Sequence, residues 1–145
     1  MGRQNLAGEL VPGAALQWTP AMSIGSETID HDHRVIIEMI NDLATSNDLA
    51  RIEDSVRDIA AYLIAHFARE EELQRAWRYP GYEKHRWDHL QMTRRIKAIN
   101  RIHVTRSARY QPGDVAVVVH GLVADCIVRH VLTADLPMEE LFRNS

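Results

Sequence analysis

Two short motifs in this chain have residue types and spacing suited to holding a metal. His66-Phe67-Ala68-Arg69-Glu70 is an H-x-x-x-E pair, and His85-Arg86-Trp87-Asp88-His89 is an H-x-x-x-H pair. On a helix, residues four apart point the same way from successive turns, so each pair can present two donors to one point. His33 and His130 fall on the apolar stripes of two further segments. A lone histidine on an apolar face is ordinarily a hydrogen-bonded core residue. Five of them, with one or two carboxylates, converging from four helices bury too much polarity for a plain core. A bound metal offsets that cost for all of them together.

Helix geometry separates the remaining candidates. His31 lies two residues from His33, about 200° around the helix, and should face outward. His103 continues the third stripe but lies 14 residues beyond His89, roughly 21 Å along the axis, so it is expected to cap the helix end. His120 with Asp125 and His130 with Asp135 both read H-x-x-x-x-D. Five residues of regular helix turn the side chain by about 140°, so Asp125 should point away from whatever His120 faces. Asp135 lies two residues before Pro137. There the helix is ending and the backbone can unwind to turn the carboxylate back, so His130 and Asp135 are the preferred pair.

Ligand type narrows the metal. Cys126 is the only cysteine, so zinc-ribbon and iron-sulfur sites are excluded, and so is an intrachain disulfide. An oxygen-only site for calcium or magnesium does not fit so many imidazoles. Imidazole with carboxylate suits iron, zinc, copper or manganese. More than four ligands exceeds one tetrahedral ion, which points to two ions bridged by carboxylates.

Four amphipathic segments must position these groups. Apolar residues recur at the helical period over about 27–44 and 49–77, with Asn47 or Asp48 as N-cap of the second. The stripe of the second runs Val56, Ile59, Leu63, His66, Glu70, Leu73 and Trp77. Tyr79-Pro80-Gly81 breaks the chain before a third helix over about 82–105. A fourth spans about 114–134, although Val115 to Val119 alone would read as a strand, and Pro137 closes it. The predicted fold is all-α: one domain over 1–145, an up-down-up-down four-helix bundle with an extended arm at 1–26 and a tail at 136–145.

The 145 residues are 46% apolar and 26% charged, with net charge −3. That suits one domain and argues against a nucleic-acid partner or an acidic disordered tail. The longest unbroken apolar run, Ile59 to Ala65, has seven residues, against about 20 for a membrane span. No secretory h-region or myristoylation pattern is evident near the N-terminus, so a cytoplasmic location without a membrane span is expected.

Read together, Trp18, Met22-Ser23-Ile24-Gly25, Ile29-Asp30-x-x-His33, His66-Phe67-x-x-Glu70-Glu71, Tyr79-Pro80, His85-x-x-x-His89 and His130-Val131-x-x-x-Asp135 resemble the hemerythrin family, specifically its bacterial single-domain members. The resemblance covers most of the chain from Trp18 onward. It implies a non-haem di-iron centre with an oxo or hydroxo bridge that binds O2 reversibly, for storage, delivery or sensing. His85, His89 and His130 would hold one saturated iron, and His33 and His66 the other, with Glu70 and Asp135 bridging and one position open for O2. Ile36, Phe67, Cys126 and Ile127 would wall the O2 pocket. Not an enzyme is the leading expectation. A di-iron oxidase, peroxidase or nitric oxide handling protein is the alternative.

Three residues depart from the family pattern. Gln74 stands where methionine is common and is expected to be peripheral. Asp32 replaces a common glutamine before His33 and could change the hydrogen bonding around the site. Cys126 replaces tryptophan four residues before His130, which should leave a gap lined by Ile36, Phe67 and Ile127.

Overall fold

A computed structural model describes residues 10–105 and 109–143. The first nine residues of the predicted arm and the last two of the predicted tail lie outside the described residues. The described chain is helical, with no strand among the described residues. Four long helices carry the fold: α1 (Glu27–Ala44), α2 (Leu49–Ala76), α3 (Tyr82–Ile99) and α4 (Pro112–His130). Each packs on its neighbours in sequence, and α1 also packs on α4, which closes the bundle.

Local chemistry sets the helix starts. Ser26 caps α1 by accepting from the Ile29 N–H, and Glu27 and Asp30 in the first turn suit the positive end of the helix dipole. Asp48 caps α2 by accepting from Ala50 N–H. Pro112 stands at the start of α4, where a missing N–H costs nothing. The Val115 to Val119 segment is helical, with Val115 and Val119 buried in the core; burial of the periodic face outweighs the strand preference of its β-branched residues.

The ends of α3 and α4 differ from the sequence expectation. Residues Asn100–Val104 and Val131–Asp135 form π-turns, in which the N–H bonds back five residues instead of four. Pro137 does not end the helical chain among the described residues. It sits within a tight 3-10 turn, Leu136–Met138, followed by a short helix α5 (Glu139–Arg143). Leu136 and Met138 are buried, so apolar packing holds this segment against the bundle. Pro112–Phe142 is a continuous helical stretch of 31 residues, long and apolar enough to cross a membrane by length and composition. Its apolar face packs into the bundle core, and it carries the buried His120, His130 and Asp135.

The core runs along the bundle axis through Ile36, Ile40, Leu43, Ile59, Leu63, Ile96, Val119, Val123 and Ile127. Trp77 leaves the predicted stripe, being 44% exposed at the cap of α2, where regular periodicity has ended. The arm is largely irregular but not loose. Asp30 receives the Ile24 N–H at 3.0 Å and the Ser23 hydroxyl. Gly25, at φ +84, makes the turn from arm to helix in a conformation that favours glycine.

Candidate metal centre

The seven predicted ligands meet at one end of the bundle. Their donor atoms form two overlapping groups, Glu70, His85, His89, His130 and Asp135 in one, and His33, His66, Glu70 and Asp135 in the other, each with atoms within 4.8 Å of one another. All seven side chains are buried.

The two carboxylates sit between the groups. Glu70 turns Oε2 to Nε2 of His66 at 2.9 Å and Oε1 to Nε2 of His85 at 2.8 Å. Asp135 turns Oδ2 to Nε2 of His33 at 3.1 Å and Oδ1 to Nε2 of His85 and His130 at 2.9 and 3.0 Å. Each carboxylate therefore spends one oxygen on the three-histidine side and one on the two-histidine side. The π-turn makes this possible for Asp135. It widens the helix beyond His130 instead of unwinding it, so that residues five apart share a face.

Three of the imidazoles are held from behind. Asp32 lies 2.9 Å from Nδ1 of His66, and it also accepts from Tyr62 Oη and, in a two-point contact, from Arg69 Nε and Nη2. Glu71 lies 3.0 Å from Nδ1 of His89. A carboxylate can only accept, so Nδ1 carries the hydrogen in both and Nε2 is turned inward. Gln74 lies 2.8 Å from Nδ1 of His85. Contrary to expectation Gln74 is fully buried, because the α2 face that carries Glu70 also carries the residue four further on. Phe67 stacks on His89 with ring centroids 3.9 Å apart.

Charge in the metal-free site is shared between histidines and carboxylates. Burial alone would lower the pKa of His66, but the hydrogen bonds to Asp32 and Glu70 outweigh it and raise it to about 9. His85 is raised in the same way, to about 10, by Asp135 and Glu70. Burial and the Asp135 charge push Glu70 up, yet bonds from His66, His85 and His89 bring it down to about 2. Asp32 and Asp135 lie below the ordinary carboxylate range for the same reason: surrounding donors overcome burial.

The donor set fits a metal. Both oxygens of Glu70, Oδ2 of Asp135 and Nε2 of His33 and His89 are buried and crowd one another at close range, but their contacts fall outside the directions of well-formed hydrogen bonds. Atoms that crowd together without hydrogen-bond directions leave their lone pairs for an ion. The imidazole and carboxylate composition suits iron.

A family model for the hemerythrin HHE cation binding domain matches residues 24–139. The chain belongs to the hemerythrin family. This hemerythrin domain is 36% identical over 86 residues to a bacteriohemerythrin of Stenotrophomonas maltophilia, a match spanning 57% of this chain and 56% of that protein. It is 28% identical over 136 residues to bacteriohemerythrins of Pseudomonas paraeruginosa and Pseudomonas aeruginosa, covering 91% of this chain and 84% of each of theirs.

The other polar residues of the hemerythrin domain fall elsewhere. His31 is exposed, and Asp125 pairs with Arg129 on the surface at 2.7 Å. His120 is buried but accepts the Gly13 N–H on Nδ1 at 2.9 Å, pinning the arm to α4. His103 lies half-buried within the π-turn after α3.

The space beside Cys126 differs from the expected gap. A cleft of about 730 Å³ opens between α3 and α4, lined by Cys126, Met92, Arg95, Leu122, His85 and His130, and Ile36, Phe67 and Ile127 do not line it. Cys126 projects from α4 toward α3, whereas Ile36 belongs to α1 and Ile127 faces the core. A second cleft, of about 560 Å³ between α2 and α3, reaches Phe67 and His89. Neither cleft is lined by His33 or His66.

Tyr62 and Arg69 are the supporting residues that motif reading passed over, whereas Gln74 is singled out by the sequence but expected at the periphery. A signal existed, since Tyr62 and Arg69 flank His66 at spacings of four and three on the same helix.

Proposed function

We propose that this hemerythrin domain holds two iron ions and binds O2 reversibly. His85, His89 and His130 serve one ion, His33 and His66 the other, and Glu70 and Asp135 bridge them. The observation that carries this reading is the split of each carboxylate between a three-histidine and a two-histidine group. Equal bridging with three nitrogens against two leaves the second ion one donor short, which is a place for a small ligand.

A ferrous pair supplies two electrons to O2 when bound. The protein's own residues orient and insulate. Asp32, Glu71 and Gln74 fix the ring orientations. The bundle core, with Ile36, Leu63 and Phe67 buried in it, limits water at the two-histidine end. That end lines neither cleft, so a small apolar gas reaches it through fluctuations of the core more readily than a charged reductant does. Storage, delivery and sensing all use this property.

The cleft that reaches His85 and His130 favours a second reading, electron entry from a soluble reductant and oxidase, peroxidase or nitric oxide chemistry. One experiment separates the two. Iron-loaded protein, about two iron per chain for a bridged pair, is reduced and cycled between air and inert gas while its absorption is followed. Reversible return of the reduced spectrum supports O2 carriage. One-way oxidation that consumes reductant supports the enzyme, and a ratio near one iron, or zinc alone after growth with ample iron, removes the di-iron reading.

A further inference from the structure

Gln74 meets the imidazole of His85 in a way that no motif assigns, and the residue is one this chain does not share with the common family pattern. Its side-chain amide stands 2.8 Å from Nδ1, with Nε2 of Gln74 as the nearer end, and the same Nε2 lies 3.2 Å from Sδ of Met138. Oε1 of Gln74 is buried with no partner. On its other side, His85 turns Nε2 to both Glu70 and Asp135.

Resting on the metal reading above, we infer that Gln74 is a positioning residue for His85, accepting the Nδ1 hydrogen through Oε1 when Nε2 ligates the ion. A ligating Nε2 carries no hydrogen, so the neutral ring keeps its hydrogen on Nδ1 and needs an acceptor there. The two ends of a carboxamide are alike in size, and turning the group over exchanges donor for acceptor without displacing a neighbour. One amide atom lacks a protein partner in either orientation, Oε1 in the first and Nε2 in the second. Met138 Sδ, a weak acceptor, favours the first only slightly, so the hydrogen on Nδ1 of His85 decides between them.

The amide also solves a charge problem. His66 and His89 are backed by carboxylates, and each of those has an arginine nearby: Arg69 at 2.9 Å from Asp32 and Arg86 at 3.8 Å from Glu71. His85 already faces two carboxylates through Nε2, and among the described residues the Gln74 amide meets His85 and Met138 rather than an arginine. A third carboxylate behind the ring would crowd negative charge in a buried place. Glutamine accepts the hydrogen bond without adding charge.

The test compares Gln74→Met, which keeps the volume and removes the acceptor, with Gln74→Glu, which keeps the acceptor and adds charge. Metal content, the iron reduction potential and the 1H–15N spectrum of His85 in zinc-loaded protein are read on the folded variants. Gln74→Met is expected to weaken metal retention by about 10-fold, the lower end of effects for such supporting groups, to raise the potential and to shift the Nδ1 resonance. Gln74→Glu is expected to lower the potential. Shifts of the same sign in both variants, or none in either, mean that Gln74 only fills space and overturn the inference. Should the wild type take up neither iron nor zinc, the metal reading fails instead, and the contact is then read in metal-free protein, where an unmoved Nδ1 resonance in Gln74→Met overturns the positioning role as well.

Discussion

His130 and Asp135 stand 3.0 Å apart, Nε2 to Oδ1, although regular helix would turn them about 140° away from each other. The π-turn Val131–Asp135 brings them together, with the Leu136 N–H bonding back to Val131. Such turns are rare and frequent at functional sites. Asp135 then reaches His33, His85 and His130 from one side chain.

Asp135→Asn is expected to lose iron from the site and change its spectrum, because an amide bridges two cations poorly. Asp125→Asn should leave iron content unchanged, since that carboxylate only pairs with Arg129 on the surface, where such pairs are worth about 0–1 kcal/mol. Metal analysis of both purified variants checks this. Iron loss in Asp125→Asn alone would move the site along α4.

Asp32→Ala removes the acceptor shared by His66, Tyr62 and Arg69. Leaving the buried Nδ1–H of His66 unmet should destabilise the bundle by about 1–3 kcal/mol, and losing the group behind His66 should weaken metal affinity by about 10–100-fold. Urea unfolding of the metal-free protein reads the first effect, and competition with a chelator reads the second. Wild-type affinity in the variant would show that the core alone orients His66.

Metal loading should release protons near pH 7. His66 and His85, raised to about 9 and about 10, hold their extra protons there in the metal-free protein and must give them up to ligate. Titration calorimetry in two buffers of different ionisation enthalpy measures the release, and affinity should fall as pH is lowered. The same shifts bear on folding without metal. A raised histidine pKa contributes stability that is fully present below the unfolded value of 6.5 and is lost as pH rises through the folded value. The urea midpoint of metal-free protein should therefore decline between about pH 6.5 and 10; a flat midpoint would mean that the carboxylates do not hold these protons.

Cys126→Trp should fill part of the cleft that leads to His85 and His130. If solvent reaches the centre by that route, autoxidation of the oxygenated, fully iron-loaded protein slows in the folded variant. Stopped-flow mixing with air, followed over minutes, gives both rates. Equal rates would confine Cys126 to packing. Burial and Asp125 raise the thiol pKa of Cys126, outweighing Arg95, so a passive thiol is the expected background for this comparison.

What one helix does by itself was open to sequence reading. His66 with Glu70 and His85 with His89 share faces because a four-residue step is fixed by backbone geometry, whatever surrounds it. The choice of Asp135 over Asp125 followed from the same rule and from the nearness of Pro137, though the backbone widened into a π-turn where unwinding was expected. The outer contacts were not open in that way. Asp32 on α1 meets His66 on α2, Gln74 on α2 meets His85 on α3, and Cys126 opens into a cleft between α3 and α4 rather than toward Ile36. These depend on how far each helix is rotated about its axis and slid along its neighbour. Periodicity within one segment carries no information about either, so only packing of the whole bundle decided which group stands behind each imidazole.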